Sequence, residues 1–133
     1  MHPNQFHVDE AWIIFKLNDE PLRTDRDGLF NIFCLMDAAS CFILGQAYVP
    51  IDQSEHSTME FAELLEKGWA HHQQFPTTLF VPIGQFPTNV PEEAERQGIA
   101  IKRVKEGELI PFIREARQFF KEYERRQQSA RNN

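Results

Sequence analysis

An α/β domain, a mixed five-stranded sheet with helices on its faces, is the fold this sequence predicts. Three observations carry it. Residues 11–49 hold three apolar, β-rich runs separated by turn signals. From residue 57 the apolar spacing changes to a helical period, and short helices then alternate with short strands. The chain closes on a long apolar helical stripe, which gives the order β-β-β-α-β-α-β-α. The 133 residues suffice for one core. A single domain over 11–126 is expected, between flexible arms at 1–10 and 127–133.

Each element has a local reason. Residues 11–17 (AWIIFKL) are β-branched and aromatic and end at Asn18, Asp19, Glu20 and Pro21, which marks a buried strand. A polar loop follows to Asp27 and Gly28, a turn pair. Residues 29–36 (LFNIFCLM) form the second strand. Asp37 and Ser40 can bond their own backbone, so 37–40 is a tight turn. Residues 41–49 (CFILGQAYV) form the third strand, stopped by Pro50. Ser57 and Glu60 have capping-box spacing, each side chain satisfying an orphan backbone donor. The helix behind them runs to near Gln74 and aligns Phe61, Leu64, Leu65 and Trp69.

Residues 77–81 (TTLFV) are a fourth strand, broken by Pro82 and Gly84. Asn89 caps a short helix with Pro91 in its first turn and Glu92 and Glu93 at its positive end. Gly98 suits the left-handed residue that stops it. Residues 99–104 (IAIKRV) alternate as an edge or near-edge strand. Glu106 and Gly107 read as a turn. A helix from about 108 to 126 follows, with Pro111 in its first turn. Its stripe is Leu109, Ile110, Phe112, Ile113, Ala116, Phe119, Phe120 and Tyr123. Strands reached through helices lie parallel to the first strand by right-handed crossovers, giving the sheet order 3-2-1-4-5.

Composition narrows the function classes. Apolar residues make up 41% and charged residues 26%, the proportions of a globular chain. No apolar run approaches the roughly 20 residues a bilayer span needs. The first 15 residues lack the basic start and apolar stretch of a secretory signal, so a cytoplasmic location is expected. The net charge is -6, which disfavours a polyanionic nucleic acid as partner. Residues 1–60 hold ten acids and three bases, whereas 61–133 hold ten acids and eleven bases. The basic stretch of 121–131 suits the end of a helix electrostatically.

Three stretches of sequence carry a resemblance. Trp12, Ile13, Ile14 and Phe15 form one. Residues 35–45 (LMDAASCFILG) form the second. Residues 75–99 supply the third through Phe75 and Pro76, then 79–84 (LFVPIG), then Gln97, Gly98 and Ile99. In order and spacing these resemble the catalytic core of retroviral-type integrases and DDE transposases, on the ribonuclease H-like fold. The resemblance covers roughly residues 12–120 and implies two-metal phosphoryl transfer, with carboxylates holding two divalent cations about 4 Å apart. The departures matter more. The first ligand position of the family reads Phe15 here, and the second reads Pro82. No Asp or Glu occurs anywhere in 11–18 or 75–91. Glu115 or Glu108 on the last helix remains, but one carboxylate cannot hold two hard cations.

Other constellations are thin. Asp19, Asp37 and Glu115 are the remaining acids that could converge on a metal. His71 and His72 are adjacent on a helix and diverge by about 100°. Cys34 and Cys41 flank the 37–40 turn and could face each other on paired strands, although two reduced, buried thiols suit a cytoplasmic chain. The sequence therefore predicts a non-catalytic ribonuclease H-like domain, without cofactor, that acts as a binding or interaction module. A protein partner or a second copy is expected, and no membrane. The alternative is a divalent-metal nuclease or phosphoryl-transfer enzyme with relocated ligands (Asp19, Asp37, Glu115). A third reading is a small-ligand module using the crevice at the carboxyl ends of the strands. The candidate interaction surface comprises Pro82 and Phe86, with Arg117, Lys121, Arg125 and Arg126 on the last helix.

Overall fold

The computed structural model describes residues 1–26, 28–51, 54–84 and 89–131, of which 54–58, 89–91 and 128–131 are described by backbone alone. After a single 3-10 turn at Pro3–Gln5 come β1 (Ala11–Lys16), β2 (Leu22–Thr24), β3 (Gly28–Asp37), β4 (Ile43–Pro50), α1 (Ser54–His72), β5 (Thr78–Pro82), α2 (Asn89–Arg96), β6 (Ala100–Val104) and α3 (Glu106–Arg131). Strand β3 pairs antiparallel with β1 on one edge and with β4 on the other. Strand β5 runs parallel to β1, and β6 runs parallel to β5. The order β4-β3-β1-β5-β6 is the expected 3-2-1-4-5, a mixed α/β sheet of ribonuclease H-like arrangement.

The sheet has one strand more than expected. Strand β2 lies inside the stretch read as a loop and pairs with residues 28–30 of β3, on the edge that β1 occupies further along. Strands β1 and β2 are in effect one strand with a break. Asn18 bridges that break from a buried position, only 2% exposed. The Ile32 N–H donates to its Oδ1 at 2.8 Å, while its Nδ2 donates to the Glu20 carbonyl at 2.7 Å and to Asn31 Oδ1 at 3.0 Å. A buried amide that satisfies backbone groups in this way replaces the missing ladder bonds.

Side chains alternate across the sheet. Trp12, Ile14, Phe33, Leu35, Leu79 and Val81 face Phe61, Leu64 and Leu65 of α1 and Ala94 of α2. Ile13, Phe15, Cys34, Met36 and Phe80 face Leu109, Phe112 and Ile113 of α3. Strand β1 is therefore buried on both faces, which is why its sequence is a continuous apolar run instead of an alternation.

Several local expectations need correction. Helix α1 begins at Ser54, so Ser57 lies inside it instead of at its cap; the Ser57 side chain, the Asn89 cap and Asp27 fall outside the described residues. Trp69 is 42% exposed, because its neighbour Gly68 takes the sheet-facing place. A Cβ on Gly68 would stand 2.8 Å from the Trp12 ring and from Leu35. Helix α3 starts at Glu106, so Glu106 and Gly107 are helical and Pro111 lies in the second turn. The bond Pro111 gives up would be accepted by Gly107, which is exposed and can be solvated. The same helix continues through Arg131, past the expected end at 126. Within residues 1–10, Phe6 packs edge-on against Phe80 at 5.8 Å and tilted against Phe112 at 6.0 Å. Cys34 pairs in register with Gln46, not with Cys41, and both thiols are free.

Gly68→Ala tests the helix-on-sheet contact. Helix propensity alone would favour alanine by about 1 kcal/mol, yet overpacking against Trp12 and Leu35 is expected to destabilise by about 1–3 kcal/mol net, read from denaturant unfolding.

Candidate functional site

The place to look is the carboxyl end of the parallel strands β1 and β5, on the face that α3 covers. Ile13 is in register with Phe80. The ladder ends with that pair, and Phe15 and Pro82 each stand two residues further along their own strand. These are the two positions singled out by the resemblance, and neither side chain offers an oxygen. Phe15 is fully buried, and Pro82 is buried at the end of β5. Around them the α3 face is filled by Phe80, Leu109, Phe112 and Ile113, with Phe6 closing the edge.

Arg117 completes this arrangement. Its guanidinium lies 6.0 Å from the centre of the Phe15 ring. Nε and Nη2 donate to the Lys16 carbonyl at 3.2 and 2.8 Å, and Nη1 pairs with Glu106. The side chain is 15% exposed. Arg117 is therefore a structural cap on the end of β1 and leaves the expected surface. Its position was readable: it follows Ile113 by one helical turn and so shares the inward face. Pro82 leaves that surface too, being buried, and Phe86 lies outside the described residues. Lys121 pairs with Asp19 at 2.9 Å. Only Arg125 and Arg126 of the expected set are exposed without a described partner.

The three acids do not gather into one cluster: Asp37 and Glu115 both act on the Cys41 thiol, and Asp19 stands apart. Asp37 is 2% exposed and lies opposite Trp12, near the start of β1. Its carboxylate accepts from the Asp9 N–H at 2.8 Å, the Ser40 N–H at 2.9 Å and the Ser40 hydroxyl at 2.7 Å. Those bonds build the 37–40 turn and anchor the N-terminal arm. Asp19 lies beyond the other end of β1, about 17 Å away for a six-residue strand. The hydrogen bond from Lys121, reinforced by nearby positive charges, holds its carboxyl below the usual range. Glu115 is exposed on α3. Among the described residues, no three His, Cys, Asp or Glu side chains gather where a metal ion could sit. The residues at the strand ends do not fit the divalent cations that the resemblance implies.

The histidines and cysteines have separate surroundings. His71 Nε2 lies 3.0 Å from the Leu44 carbonyl, with its ring edge-on to Phe42, while His72 Nδ1 meets Asp9 Oδ2 at 2.8 Å. Burial pushes the Cys34 thiol up to about 12. Burial, then the charges of Asp37 and Glu115, raise that of Cys41. Neither thiol is poised as a nucleophile.

No protein-family model matches the chain, and no curated protein does. Among solved structures, the chain is similar to one chain of the cryo-EM structure of the simian T-cell lymphotropic virus intasome in complex with PP2A regulatory subunit B56 gamma. The TM-score is 0.51 at 9% identity over 78% of this chain. This chain spans 35% of that chain's length. At such identity the likeness concerns the fold alone, and it agrees with an integrase-like arrangement of sheet and helices. No helix among the described residues is long and apolar enough to cross a membrane.

Three measurements follow from the packing. Phe15→Ala is expected to cost about 3–5 kcal/mol in denaturant unfolding, the range for a buried phenyl ring. Cys34 is expected to resist alkylation in the native protein at neutral pH, while the half-buried Cys41 reacts first. Because the folded state holds the Cys34 proton longer than the unfolded chain does, stability should fall as pH rises from about 9 towards 12. Cys34→Ala should flatten that decline.

Proposed function

We propose that this chain is a non-catalytic ribonuclease H-like domain, of the integrase-core type, that works by binding a protein partner. One observation supports this above the others. Phe15 and Pro82 stand near the carboxyl ends of two parallel strands that pair as far as Ile13 and Phe80, where a two-metal enzyme of this fold would need carboxylates. Hard cations require oxygen ligands, and these two side chains supply none. Arg117 lies over Phe15 and is held there by the Lys16 carbonyl and by Glu106. The scaffold is kept while the chemistry it could carry is not provided for.

The charge distribution favours a protein over a nucleic acid. Arg117 and Lys121 are engaged by Glu106 and Asp19. A phosphate-binding face needs several free cations in one place, whereas the exposed bases are spread over β6 (Lys102, Arg103), the first half of α3 (Arg114) and its far end (Arg125, Arg126).

The test is a titration of the purified chain with manganese and magnesium, alongside a DNA-cleavage assay in the same metals. We expect no saturable binding and no cleavage. Stoichiometric uptake of two ions would overturn the reading. If that uptake were lost in Asp19→Asn, Asp37→Asn or Glu115→Gln, it would point to relocated ligands.

A further inference from the structure

Helix α3 covers only part of its face of the sheet. Leu109, Phe112 and Ile113 of its first half are buried, but Phe119 is 64% exposed and Tyr123 is 60% exposed. Beside them α3 covers Ile32, Cys34 and Met36 of β3 but leaves β4 and the Phe30 end of β3 open on this side. Tyr48 of β4 is 58% exposed there and packs edge-on against Phe30 of β3 at 6.0 Å. Helix and sheet enclose an open groove of about 1220 Å³. A sheet face without a second layer is an incomplete domain in packing terms.

The open area can be weighed. An aromatic side chain presents about 150–250 Å². With three of them roughly three-fifths exposed, about 300–400 Å² of apolar surface is left in one patch. An interface is about 57–65% apolar, so this patch is the core of a contact of about 500–700 Å² per side. The partly exposed Phe30, Ile43 and Phe120 bring it near the roughly 800 Å² per partner of a standard interface.

The rim says which partner fits. An isologous contact places a patch against itself, so a rim of one sign would repel. This rim carries both signs: Asp19 and Lys121 pair with each other, and Glu20, Glu124 and Arg23 also line it. A two-fold axis can set Arg23 of one copy against Glu20 or Glu124 of the other. We propose that a second copy of this chain covers the groove. In this dimer the open face of β4 and the Phe30 end of β3 pack on their counterparts at the roughly 10 Å spacing of stacked sheets. Phe119 and Tyr123 of each α3 then close over the partner's Tyr48. The proposal rests on reading the chain as a binding module, and it names the surface and the partner.

Sedimentation or light scattering between about 1 and 100 μM tests it. The full chain is expected to dimerise in this range. Phe119→Glu and Tyr123→Glu, at exposed positions, should each raise Kd about 30-fold or more with unchanged circular dichroism. Trp69→Glu, on α1 across the sheet, should leave the dimer intact. A chain that stays monomeric at the top of the range overturns the proposal, as does a dimer indifferent to both α3 variants. A monomer that takes up no metal would sink the dimer but not the binding-module reading. A dimer that takes up two ions would do the reverse.

Discussion

The burial of β1 on both faces is the constraint on which the rest of this molecule depends. A strand at the centre of the sheet, covered by α1 on one side and α3 on the other, has no solvated face. Each residue along it must be apolar or be satisfied by a built partner. An enzyme of this architecture would place a carboxylate at its end and pair it with metal. Here Phe15 fills the position, and Arg117 closes the strand by taking the Lys16 carbonyl. The end of β1 is thereby stable as packing, with nothing left for a bound ion to neutralise.

The same strand fixes the helices. Trp12 projects from β1 against Gly68, and only a glycine allows α1 to approach that ring. The approach carries Lys67 and His71 to the outer side of β4. Lys67 Nζ donates to the Gln46 carbonyl at 3.1 Å, and His71 Nε2 lies 3.0 Å from that of Leu44. An open edge strand is a template for unwanted pairing, and here two helix side chains occupy part of it. At the opposite edge, β6 presents Lys102 and Arg103 to solvent, a second common protection. Both edges of the sheet thus carry polar or charged side chains that oppose edge-to-edge pairing.

Much of the architecture was legible in the residues because it rests on local signals. Turn residues divide the three-strand meander, and helices between the later strands force parallel pairing, so the sheet order follows. What escaped was non-local. Strand β2 exists because Asn18 bonds Ile32 across the sheet, and no period in residues 18–28 announces that. Phe6 looked like part of a frayed arm, although its partners Phe80 and Phe112 are distant in sequence. Arg117 looked solvated by its type, although its spacing from Ile113 placed it inward. The candidate site was legible as a pair of positions, Phe15 and Pro82, but the rings and the guanidinium that fill it were not. The open groove was visible only as leftover apolar residues on the last stripe, because a helical period cannot say which part of a stripe the sheet reaches.

The most direct test of the central claim is anomalous diffraction from crystals of the chain soaked in manganese. The account predicts no peak within coordination distance of the ends of β1 and β5, with Phe15, Pro82 and Arg117 in their present places. A pair of manganese ions bound there by oxygen ligands of this chain would contradict it.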